Sequence, residues 1–300
     1  MRSPRDPDPA ALPVFRRRGP DVGLTPLVFA SPHSGDVYPP EPDPHPDLTE
    51  ASRRSAEDAL VEALVRPAAE AVGAPLLAAC IGRSYVDLNR APEDLDPGAV
   101  DGLDGVEPSP RARAGYGVIP RLSGDGRPLR AAPLSRHMAE RRLTEIHGAY
   151  HAELARLMQA ARAAHGRAVL IDWHSMPGRA AGSRPGVRGI DVVLGDRHGA
   201  ACETGLVRRA RSCLEAKGLR VSLNKPYAGG WSTERWGRPD DGFHALQVEI
   251  NRELYLDPAT LGPGPGFARA AGVVSALANA LAEALAAEKK PRPRARHESL

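Results

Sequence analysis

Short apolar runs that stop abruptly at polar residues recur along the chain and alternate with longer stretches of helical period. Pro26-Leu27-Val28-Phe29-Ala30 and Ala168-Val169-Leu170-Ile171 are short and continuously apolar, the pattern of strands buried on both faces. Further strands are expected at 76–80, 84–87, 190–195, 219–223 and 244–251. Helical spacing predicts a helix over 48–70, with Ala59, Leu60, Ala63 and Leu64 on one face and Gly73 as its stop. Others are expected at 136–165, at 200–217 before Gly218, and at 267–287. The Pro-, Gly- and Asp-rich stretch 91–110 and the Gly-rich stretch 228–242 read as loops. Strands alternating with helices imply an α/β fold: a single domain with a mixed, largely parallel sheet flanked by helices. The aperiodic ends divide the chain into a disordered N-terminal tail (1–22), one folded unit (23–288) and a basic disordered tail (289–300).

Composition narrows this picture mainly by exclusion. Forty basic residues against 37 acidic leave a net charge of +3, with the surplus arginine concentrated at the ends, so there is no case for a nucleic-acid partner. Aromatics make up only 4%, and the core must therefore be built from Leu, Val and Ala. Cys80, Cys202 and Cys213 form no CxxC pair, which argues against a disulfide framework or thiolate metal site and fits a reducing compartment. Without an apolar core in 1–23 or an 18-residue apolar run, neither signal peptide nor membrane span is expected, and the protein reads as cytoplasmic. The missing GxSxG, HExxH, P-loop and GxGxxG motifs weigh against serine hydrolases, thermolysin-like peptidases, nucleotide hydrolases and dinucleotide enzymes.

The candidate chemistry lies at strand ends. His33 and Asp36 follow the first apolar run and His174 ends the Ala168 run. Two histidines and a carboxylate can hold zinc while leaving a position for water, whose pKa then falls to about 7. Distance in sequence is no obstacle, because strand ends meet along one edge of an α/β sheet. Asp36 could equally be a turn-former bonding backbone amides. Asn89 and Arg90, just past the expected strand at 84–87, suit a substrate with a free carboxylate. Glu249 sits in the otherwise buried segment Leu246-Gln247-Val248-Glu249-Ile250. It is either a general base or the polar face of an edge strand. Glycines around Trp231, Thr233 and Arg235 suggest a loop that closes over a ligand, or a rigid turn whose tryptophans pack on the sheet. Arg121, after Gly117-Val118-Ile119-Pro120, could reach a developing oxyanion.

These motifs resemble the N-formylglutamate amidohydrolase (N-formylglutamate deformylase) family of the zinc carboxypeptidase-like superfamily. The likeness is carried in order by Pro32-His33-Ser34-Gly35, Val86-Asp87-Leu88-Asn89-Arg90, Gly117-Val118-Ile119-Pro120-Arg121, Asp172-Trp173-His174-Ser175 and Gln247-Val248-Glu249, and spans about residues 25–285. The resemblance implies a zinc carboxypeptidase-like (phosphorylase/hydrolase-like) fold and one Zn2+ on His33, Asp36 and His174. It further implies Asn89 and Arg90 on the substrate's carboxylate and Glu249 as the proton-transfer group. The family has glutamate where this chain has Asp36, so Asp87 or Asp172 could take that place. The implied reaction is hydrolysis of a small-molecule N-acyl amino acid, foremost N-formyl-L-glutamate to formate and L-glutamate in histidine degradation, with neither nucleic acid nor membrane as partner. Two other readings stay open: a zinc carboxypeptidase acting on peptides, and a non-catalytic binder of acidic small molecules.

Overall fold

In the computed structural model, which describes residues 12–103, 105 and 107–287, the elements follow one another as β1 (Phe15–Arg18), β2 (Leu27–Ser31), α1 (Glu50–Arg54), α2 (Val61–Val72), β3 (Leu76–Ala79), α3 (Pro110–Arg113), α4 (Arg136–Arg142), α5 (Ala149–His165), β4 (Ala168–Met176), β5 (Val192–Gly195), α6 (Thr204–Ala216), β6 (Val221–Leu223), α7 (Trp231–Trp236), β7 (Phe243–Asn251) and α8 (Phe267–Ala287). A π-helical turn, Leu143–Gly148, joins α4 to α5. The strands form one mixed sheet in the order β1-β3-β2-β4-β7-β5-β6. β3, β2, β4 and β7 run parallel. β1 lies antiparallel on β3, and the parallel pair β5 and β6 joins β7 antiparallel. The α/β architecture expected from the sequence is the one observed.

Strand alternation sorts the core into two layers. Leu27 and Phe29 of β2, Val169, Ile171 and Trp173 of β4, and Leu246, Val248 and Ile250 of β7 face α2, α6 and α8. Val28, Ala30, Leu170 and Ala245 face the layer built around Tyr150, Leu154 and Leu157 of α5. Toward the C-terminal ends the second face turns polar. Period two places Asp172 and His174 after Leu170, and Gln247 and Glu249 after Ala245. The β4 and β7 register pairs Asp172 with Gln247 and His174 with Glu249. Phe29 is fully buried, with its ring 5.7 Å from that of Trp173. Phe29→Ala should therefore lower the unfolding free energy by about 3–5 kcal/mol in denaturant titration.

Four expectations are corrected. Residues 84–87 form turns, because Tyr85 N bonds to Gly82 O and Asp87 N to Val118 O, leaving no strand ladder. The helix expected over 48–70 breaks between α1 and α2, where Leu60 has φ 63° and Asp58 N bonds to His33 O. The stretch expected as an N-terminal tail contains β1, anchored from Phe15 to Arg18 on β3, and the Gly-rich loop contains α7. Residues 1–11 and the 289–300 segment lie outside the described residues. By length and composition α8 could cross a membrane, a match that a search for uninterrupted apolar runs misses. Its Val274, Leu277 and Leu281 are buried in the core shared with α2 and α6.

Candidate active site

The C-terminal ends of β2, β4 and β7 open into a cleft of about 610 Å³, within the usual range for small-molecule sites. His33, just beyond β2, and His174 of β4 are 3% and 2% exposed, and their Nδ1 atoms stand 3.1 Å apart. Asp58, from the break before α2, brings Oδ2 within 3.0 Å of His174 Nδ1 and 3.4 Å of His33 Nδ1. Its other oxygen accepts from Ser175 Oγ at 2.9 Å and Arg252 Nη2 at 3.1 Å.

The outer nitrogens of the two rings decide what the inner ones can do. His33 Nε2 lies 2.7 Å from Asp87 Oδ1, and a carboxylate accepts, so the proton of the neutral ring sits on Nε2. His174 Nε2 lies 3.0 Å from Asp172 Oδ2 and 3.1 Å from the Asn89 amide nitrogen. The Asn89 amide nitrogen can only donate, whereas the wholly buried Asp172, whose oxygens have no hydrogen-bond partner among the described residues, favours a proton on His174 Nε2. With the protons of both rings on Nε2, two imidazole lone pairs and a carboxylate oxygen converge with no proton between them. Their separations match the ~3.3 Å expected for donors about 2.0–2.1 Å from one tetrahedral zinc, and Asp87 and Asp172 supply the carboxylates that commonly back metal-bound histidines. Burial alone would lower the pKa of His174, yet the carboxylates of Asp172 and Asp58 carry it well above the ordinary imidazole value. The donor set fits a divalent metal ion.

Glu249 lines the same cleft. Gln247 Nε2 donates to its Oε1 at 2.8 Å, and burial pushes its carboxyl up to about 7, the range of a group that can both take and give a proton near neutrality. Asn89 and Arg90 line the facing wall. Asn89 Oδ1 accepts from Ser232 N at 2.9 Å. Gly230 must be glycine, since a Cβ there would come within 2.4–2.7 Å of the Asn89 amide group. Against burial, Arg83 and His33 hold the Asp87 carboxyl well below its ordinary value.

The structure gathers His33, His174, Asp87, Asn89, Arg90 and Glu249 at one cleft and leaves Asp36, Arg121, Asp172, Trp231, Thr233 and Arg235 outside its lining. Asp36 is exposed beyond the turn; in its place the acid beside both histidines is Asp58, because the chain curls back only at the break before α2. Arg121 points away, its guanidinium tied to Asp96 at 3.0 Å and to Arg113 O at 3.3 Å. Trp231 packs on His147 and His151, Thr233 is wholly buried, and Arg235 stacks over Trp231, so α7 backs the wall while Gly229 and Gly230 form it. Of the two acids named as substitutes for Asp36, both stand behind the histidine rings. Sequence reasoning missed Asp58, Arg83, Arg111 and Arg252. Helical periodicity makes Asp58 look like a surface acid, and the three arginines carry no local pattern to set them apart from the other basic residues.

Residues 25–256 match the family model of N-formylglutamate amidohydrolase. The chain is 31% identical over 238 residues to the N-formylglutamate deformylase of Pseudomonas aeruginosa, covering 78% of this chain and 84% of that one. The crystal structure of N-formylglutamate amidohydrolase from Ralstonia eutropha JMP134 superposes with a TM-score of 0.84 at 33% identity, covering 92% of this chain and 99% of the other.

Proposed function

Given that the chain belongs to the N-formylglutamate amidohydrolase family and is a hydrolase acting on amides, we propose that it is a zinc-dependent deformylase that converts N-formyl-L-glutamate to formate and L-glutamate. The observation that supports this most is the convergence of His33 Nδ1, His174 Nδ1 and Asp58 Oδ2 beside Glu249 in an arginine-lined cleft. In this reading His33, Asp58 and His174 hold the zinc. Zinc there supplies a water of lowered pKa and polarises the scissile carbonyl. Glu249 takes the proton of the attacking water on the carboxylate oxygen that Gln247 leaves free, and returns it to the departing amine nitrogen. Gln247 keeps that carboxylate aimed into the cleft. Asn89 and Arg90 receive a carboxylate of the substrate.

Arg111 and Arg179 also line the cleft without a carboxylate partner among the described residues, so a second substrate carboxylate has guanidinium groups to meet. The reaction then belongs to the cytoplasm, as the last step of one route of histidine degradation. The test follows formate release from N-formyl-L-glutamate by zinc-loaded and chelated protein. Turnover that disappears on chelation and returns with zinc is expected. Full turnover by the metal-free protein, or cleavage of peptides in preference to N-formyl-L-glutamate, would overturn the reading.

A further inference from the structure

The wall that carries Asn89 and Arg90 has no regular secondary structure, yet three successive carbonyls in it each have a fixed donor. Leu88 O lies 2.8 Å from His151 Nε2, Asn89 O accepts from Trp231 N at 3.4 Å, and Arg90 O lies 2.9 Å from His147 Nε2. A carbonyl only accepts, so both imidazoles carry their proton on Nε2. The two histidines are one helical turn apart, His147 in the π turn and His151 in α5. Such turns insert an extra residue into the winding and are frequent near functional sites. Their rings lie 4.5 Å apart and both pack on the indole of Trp231, at 5.1 and 4.4 Å. His147 is 2% and His151 6% exposed, and neither lines the cleft. Burial lowers the pKa of both, that of His151 to about 3, so the neutral ring that the geometry requires is the stable one.

Two buried imidazoles that spend their only N–H on one three-residue segment do more than fill space, since an apolar pair would pack there without the desolvation cost. We propose that His147 and His151 are positioning residues for substrate binding: they fix the backbone from Leu88 to Arg90, and through it the Asn89 amide and Arg90 guanidinium, where the substrate's carboxylate is received. The inference rests on the role given above to Asn89 and Arg90. Loss of one N–H leaves a buried carbonyl unpaired and frees the loop; His33, Asp58, His174 and Glu249 stay on their own strands and turns, Asp87 behind His33 keeps its bond to Val118 O, and His174 loses only the Asn89 amide contact.

The experiment compares His147→Leu, His151→Leu and the corresponding Gln variants, whose amide nitrogen falls near the position of Nε2. Each Leu variant should raise KM for N-formyl-L-glutamate on the order of tenfold, with a much smaller change in kcat and unchanged zinc content, and each Gln variant should restore most of the loss. Hydrogen–deuterium exchange of residues 87–91 should quicken with Leu and return toward the parent rate with Gln. Where a Leu variant does not fold, Asn takes its place, because its shorter amide cannot reach the carbonyl. A kcat loss equal to or larger than the KM change, Gln no better than Leu, or unaltered exchange would overturn the proposal. Failure of the parent protein to hydrolyse N-formyl-L-glutamate would instead sink the substrate assignment, and the exchange measurement would still decide the positioning role.

Discussion

Glu249→Gln is expected to keep the fold, the zinc and the affinity for substrate while turnover falls by a factor on the order of 10² to 10⁴, the usual contribution of a general acid–base group. The substitution keeps side-chain volume and leaves an amide oxygen to accept from Gln247 Nε2, now 2.8 Å from Glu249 Oε1. What it removes is the ability to hold a proton. Burial has raised the Glu249 carboxyl to about 7, and no other carboxyl in the cleft is comparably placed. Asp87 and Asp58 are both held well below their ordinary values by the cationic and imidazole groups around them, against the effect of burial. Steady-state kinetics together with zinc analysis make the check. Retained turnover with a normal metal content would remove Glu249 from the proton-transfer role.

The second large effect separates two acids. Asp58→Asn should weaken zinc binding by more than the roughly 10- to 100-fold typical of losing a group behind a metal ligand, and activity should fall with metal occupancy. Asp36→Asn should leave both within about twofold. Asp58 is 1% exposed with Oδ2 facing both ring nitrogens, while Asp36 stands in solvent. The amide oxygen of the Asp58→Asn variant would still accept from Ser175 and Arg252, so the loss reports the missing charge rather than a collapsed turn. Competition against a chromophoric chelator measures it. Zinc retained by the Asp58 variant and lost by the Asp36 variant would restore the carboxylate next to His33 as the third donor.

The contrast between these acids shows what a sequence can disclose. His33, His174 and Glu249 were legible because each ends or interrupts an apolar run, and the alternation along β4 and β7 brings their chemistry to one edge of the sheet. Asn89 and Arg90 were legible from their chemistry, although the strand expected before them is a series of turns. Asp58 was hidden because its meaning depends on a break in a helix, where Leu60 adopts a left-handed backbone that no periodicity announces. The loop of tryptophans misled for a related reason. Glycines mark where the chain bends but not which side faces the cleft, and here the glycines face it while Trp231 turns inward.

His174 and Glu249 occupy facing positions on adjacent parallel strands, so their spacing is a property of the sheet repeat, about 4.8 Å between strands, and not of any loop. Arg111 and Arg179, proposed above to meet the substrate, lie on segments outside the sheet. If the proposed function holds, the segments bearing Arg111 and Arg179 could be exchanged to test other acyl amino acids without moving His174 or Glu249, whereas the segment bearing Arg90 also carries Asp87 and Asn89, which touch His33 and His174. A single residue inserted in β7 ahead of Glu249 would turn the carboxylate to the opposite, apolar face. For protein engineers the register of β4 against β7 is thus the constraint to preserve.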